Sequence, residues 1–119
     1  MSEFVSMLKE LQGFVKDASS SAYKKLDKTT YTMLIDGLKG EDPESVKVVI
    51  DQLKKERHPL AIPPMYIVAH MHPIAWVRTQ AQNALLDLAG ANELEGLTSG
   101  KTFKEQVKVL LEHYGNYRD

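Results

Sequence analysis

The sequence predicts an all-α fold: a short right-handed superhelix of helix pairs, flanked by one helix at each end. Three observations predict it. Apolar residues recur at spacings of three and four with no sustained period-two alternation. Pro, Gly and N-cap residues fall where helices start and stop. Two stretches of the chain match each other at an offset that carries Ile35 onto Tyr66. At 119 residues the expectation is a single domain, 1–119.

The first element is an amphipathic helix over 1–24. Phe4, Leu8, Leu11, Val15, Ala18 and Ala22 form one stripe, with Lys9, Glu10, Lys16 and Asp17 off it. The run Ser19-Ser20-Ser21 is poor helix material and is expected to fray it.

A first helix pair is expected over 30–57. Its first helix, 30–39, buries Tyr31, Leu34, Ile35 and Leu38 and ends at Gly40, read as a C-cap with positive φ. Asp42 is the next N-cap and Pro43 the first helical residue. Val46, Val49, Ile50 and Leu53 face inward. Glu44 in the first turn and Lys54, Lys55 and Arg57 in the last complement the helix dipole.

A second pair is expected over 64–89. His58-Pro59 and Pro63-Pro64 mark the loop before it. Residues 64–70 are apolar all round, the mark of a buried central helix. The helix from Pro73 carries Ile74, Val77, Ala81, Ala84, Leu85 and Leu88 inward and stops at Gly90. Residues 91–101 read as a loop. Thr102 and Glu105 form a capping-box pattern at the head of the C-terminal helix, 102–114, which buries Phe103, Val107, Leu110 and Leu111.

The offset that pairs Ile35 with Tyr66 also pairs Leu38 with Ala69, Val46 with Val77, Lys47 with Arg78, Ile50 with Ala81 and Leu53 with Ala84. Such self-similarity marks stacked helix hairpins, each covering its neighbour's apolar face. The stretch His72-Pro73-Ile74-Ala75-Trp76-Val77-Arg78, with Ala81, Ala84, Leu85 and Leu88, resembles the second helix of a HEAT repeat. In that family a turn proline is followed by a Val-Arg pair and by small residues that admit close helix packing. The first unit has Asp42-Pro43 and Val46-Lys47 but lacks the alanines. The resemblance covers about residues 30–90. It implies a HEAT-like fold and little about activity, because such arrays host many roles.

Composition narrows the function. Hydrophobic residues make up 43% and charged residues 26%, as in globular chains, and net charge is −1. Residues 1–60 hold ten acids and ten bases, and residues 61–119 six and five, so neither half is a basic arm and no nucleic-acid partner is expected. There is no cysteine, which removes disulfides, thiolate catalysis and Cys-based metal sites. The N-terminus lacks the basic and apolar regions of a secretory signal, and no run reaches a membrane span. A soluble, cytoplasmic protein without membrane contact is the expectation.

No catalytic set is visible. G-x-S-x-G, G-x-G-x-x-G and Walker patterns are absent. Glu41/Asp42 and Glu93/Glu95 read as solvated loop carboxylates. Lys24, Lys25 and Lys28, with Lys54, Lys55 and Arg57, read as solvated helix ends, or else as a weak patch for phosphate or an acidic partner. His70 and His72 are too few for a stable metal site unless Glu56 or His58 joins them, so no metal and no cofactor are expected. Arg78 reads as structural, with Asp36 or Asp87 as its candidate partner.

Trp76 is the most informative residue. It lies about 100° from the core stripe of its helix, on a row with His72, Gln80, Asn83 and Asp87. Either another element, such as the C-terminal helix, covers it, or it anchors a partner. Trp76, His72, Gln80 and Asn83 are the candidate binding row. The expected function is a non-enzymatic protein-binding adaptor, assembly factor or regulatory subunit. The alternatives are a ligand-binding or lyase-like HEAT protein, by analogy with bilin lyases that handle tetrapyrroles, and a His-based metal-binding domain.

Overall fold

The structure, a computed structural model, describes residues 3–17, 28–40, 42–57 and 61–115. Among them the chain is all-helical, with seven helices and no strand: α1 (Glu3–Asp17), α2 (Lys28–Leu38), α3 (Pro43–Glu56), α4 (Ile62–Met71), α5 (Ala75–Ala89), α6 (Ala91–Thr98) and α7 (Phe103–Gly115). The Ser19–Ser21 run, Ala18, Ala22, Lys24, Lys25 and His58-Pro59 lie outside the described residues, as do the side chains of Val15, Lys28 and Tyr31.

The local signals account for several boundaries. Asp42 accepts the Glu44 amide on Oδ1 at 3.2 Å and the Ser45 hydroxyl on Oδ2 at 2.9 Å, and Pro43 follows it into α3. Arg57 ends α3 with φ of 52°, and its amide donates to the Leu53 carbonyl. Gly90, at φ of 83°, stops α5 and starts α6. The Thr102 amide donates to Glu105 Oε1 at 2.9 Å and the Glu105 amide to Thr102 Oγ1 at 3.3 Å, a complete capping box. The Thr102 amide holds the Glu105 carboxyl below its ordinary pKa.

Four expectations are corrected. Residues 91–98 form α6 and not a loop: Leu94 and Thr98 are buried and Leu97 half-buried, while Glu93 sits in the first turn. Gly40 does not take positive φ; Lys39 and Gly40 close α2 through three-residue bonds to Asp36 and Gly37. The fourth helix begins at Ile62 because Pro63 and Pro64 occupy its first turn, where amides have no helical acceptor. The fifth begins at Ala75, with Ile74 extended at its N-cap and Pro73 outside it.

The core follows the apolar stripes. α4, buried from Ile62 through Val68, packs on α1, α5 and α7. Phe4, Met7, Leu8 and Leu11 of α1 cover one of its sides, and Val107 and Leu110 of α7 belong to the same cluster. α2 packs on α1 and α3, and α3 on α5. Gly37 permits the α2–α3 approach, since a Cβ there would lie 2.6 Å from Val49 Cγ2.

α3 and α5 run parallel. Gln80 Nε2 donates to Asp51 Oδ1 at 2.9 Å, and Arg57 Nη1 donates to Asp87 Oδ2 at 2.8 Å, so both helices advance together. α6 meets α5 and α7, and α7 returns across α4. One hub ties this end. The Tyr66 hydroxyl donates to Gln106 Oε1 at 2.9 Å, and Gln106 Nε2 donates to the Thr98 and Lys101 carbonyls, each at 3.1 Å. The Tyr114 hydroxyl donates to Glu93 Oε2 at 2.8 Å, and burial, reinforced by that carboxylate, pushes the phenol pKa upward.

Candidate functional site

The residues singled out from sequence divide between two places. Trp76, Gln80 and Asn83 lie on the flank of α5 that borders α3. Trp76 is 42% exposed, Asn83 is exposed and Gln80 is half-buried on Asp51. The C-terminal helix does not cover Trp76, because α7 packs on α4 and α6 instead. Asp87, one turn further, is taken up by Arg57.

His72 stands apart. It precedes α5 with extended backbone, φ of −61° and ψ of 136°, so helical counting from Trp76 does not reach it. Its ring is buried and meets Phe4 edge-on at 5.3 Å between centroids. The Ile74 amide donates to its Nδ1 at 3.1 Å, which requires that nitrogen to be unprotonated. Burial, together with the nearby Arg78 charge, lowers its pKa.

Arg78 has neither of its expected partners. Its Nη1 donates to the His72 carbonyl at 2.6 Å, bracing the α4–α5 turn. Asp36 pairs with Lys39 at 2.8 Å and Asp87 with Arg57. The reason is geometric: the α4–α5 turn leaves the His72 carbonyl beside the first turn of α5, within reach of Arg78.

His70 and His72 do not converge. His70 Nδ1 donates to the Tyr66 carbonyl at 2.9 Å, and its ring lies between Tyr66 and Phe103, at 4.2 and 5.5 Å. His72 faces α1. Among the described residues no three His, Cys, Asp or Glu side chains group so as to hold a metal ion. Among those residues, too, no helix is long and apolar enough to cross a membrane.

The α3–α5 face is therefore the surface on which Trp76, Gln80 and Asn83 meet, without His72. The two cross-helix bonds set residues 51 and 57 level with 80 and 87, which places Trp76 level with the first half of α3. Val48 stands there, 66% exposed on the side of α3 away from the core. Exposed Trp76 and Val48 thus lie in the first halves of α5 and α3, and the polar seam of Asp51–Gln80 and Arg57–Asp87 joins later turns of the two helices. Val48 carries no signal in the sequence, because it falls among exposed positions outside the core stripe of α3. No protein-family model, curated protein or solved structure matches the chain.

Proposed function

We propose that the chain is a non-enzymatic protein-binding module of HEAT-like build, an adaptor, assembly factor or regulatory subunit, whose α3–α5 face docks a partner protein. The observation that carries the proposal is Trp76, a large aromatic left 42% exposed on a rigid, hydrogen-bonded helix pair. Half-exposed tryptophans on fixed elements are the residue type that dominates binding energy at protein interfaces. Gln80 and Asn83 supply polar contacts beside it, and His72 and Arg78 fix the turn from which α5 projects.

Two features support the HEAT-like reading. The α3–α5 bonds link residues 29 and 30 apart, close to the internal offset, so the second helices of the two pairs lie side by side in register. The matched positions Val46 and Val77, Ile50 and Ala81, and Leu53 and Ala84 are all buried. The helices after the second pair depart from the pattern: α6 joins α5 to α7, and α7 lies on α4. In this reading α1 and α7 are caps that close a two-unit array.

The test is site-specific photo-crosslinking in the native cell. A photoreactive residue at Val48 or Asn83 is expected to trap one discrete protein, and the same residue at Glu112 is not. Equal trapping at all three positions, or none, would remove the α3–α5 face from the proposal.

A further inference from the structure

A cleft of about 350 Å³ runs between α1 and α7, away from the α3–α5 face. Its walls are Met7 and Leu11 on one side and Val107 and Leu111 on the other. Met7, Leu11 and Val107 are each under a tenth exposed. Three of its four apolar wall residues are thus core side chains. An aliphatic chain suits that apolar lining, and the volume lies within the range of small-molecule sites.

The rim supplies the polarity. Lys104 and Lys108 stand one turn apart on α7, both exposed, and neither forms an ion pair among the described residues. Two like charges at that spacing repel and favour a shared anion. Glu10 is the carboxylate on the opposite rim and turns an anionic head toward α7. We infer that this cleft binds a free single-chain amphiphile with an anionic head group, its chain between α1 and α7 and its head on Lys104 and Lys108. The site is separate from the proposed docking face and does not depend on it.

Dodecanoate, kept below its micelle concentration, is the probe, followed by titration calorimetry and amide chemical shifts. The expected result is one site per chain, with shifts centred on α1 and α7. Lys104→Glu/Lys108→Glu is expected to weaken binding by at least about tenfold. Lys54→Glu/Lys55→Glu, the same charge change on exposed positions of α3, is expected to leave it unchanged. Dodecyltrimethylammonium is expected to bind far more weakly than dodecanoate. Absence of binding, equal binding of the cation, multiple weak sites, equal loss in the α3 variant, or association with anionic phospholipid vesicles alone would each overturn the inference. The altered lysines are exposed, and matching thermal midpoints verify that both variants fold.

Discussion

Arg57 reaches across 30 residues of chain to place Nη1 2.8 Å from Asp87 Oδ2, and does so from a left-handed backbone conformation. One residue therefore ends α3 and ties it to α5. The two roles are separable. Both side chains are largely exposed, so the ion pair contributes at most about 1 kcal/mol. Left-handed backbone costs a non-glycine residue about 1 kcal/mol or more. Arg57→Gly is thus expected to be more stable than Arg57→Ala by roughly 1 kcal/mol, read as the difference in urea midpoints.

Gly37 is expected to resist the substitution that normally stabilises a helix. Alanine gains about 1 kcal/mol of helix propensity. Its Cβ would meet Val49 Cγ2 at 2.6 Å, and Val49 is stiff about χ1. Overpacking costs about 1–3 kcal/mol, so Gly37→Ala should be destabilising overall. Gly37→Ala/Val49→Ala should recover more stability than the sum of the single changes allows, a coupling that a double-mutant cycle measures directly.

The helix signals written in neighbouring residues were legible in the sequence. The Asp42-Pro43 start, the Gly90 stop and the Thr102–Glu105 box all form as local chemistry requires. What escaped depends on distant parts of the chain. α6 is short and holds Gly96, and its apolar Leu94 and Leu97 mean little until α5 and α7 lie against them. Gln106 is an unremarkable polar residue in the sequence and joins α4, the end of α6 and the following loop only through tertiary placement. Counting His72 onto the Trp76 row requires Pro73 to be helical, and it is not. The extended residues before Ala75 turn its ring toward Phe4 instead. Helical counting therefore places Trp76, Gln80 and Asn83 on one row, since they lie within regular helix, and fails for His72.

Arg78→Ala is expected to be destabilising by about 1.5–3 kcal/mol, the range for a hydrogen bond to a charged group. The larger loss expected of a broken buried ion pair does not apply, because its acceptor is the His72 carbonyl and Arg78 is only half-buried. Arg78→Lys should recover part of that loss. Chemical denaturation of the three proteins distinguishes the two magnitudes.

His72 predicts a loss of stability in mild acid. Its folded pKa lies below the unfolded value of about 6.5, so unfolding takes up a proton. The stabilisation is complete above pH of about 6.5 and is lost as pH falls from there toward the folded pKa. Arg78 and Lys39 are the nearby cations, and the Asp36 carboxylate is engaged by Lys39. His72→Asn keeps an acceptor for the Ile74 amide without the titration, so its urea midpoint should fall less steeply over that window. Imidazole resonances followed by NMR should place the His72 titration below that of free histidine.

Trp76 as the anchor for a partner protein is tested most directly by one affinity measurement. Once crosslinking from Val48 or Asn83 has identified the partner, its affinity for the purified chain is measured by calorimetry with Trp76 and with Trp76→Ala. An anchoring tryptophan predicts a loss of at least about 2 kcal/mol, roughly 30-fold in Kd, with thermal midpoint and helical spectrum unchanged. Equal affinity for both proteins would contradict the account and leave Trp76 as surface that the fold exposes without using.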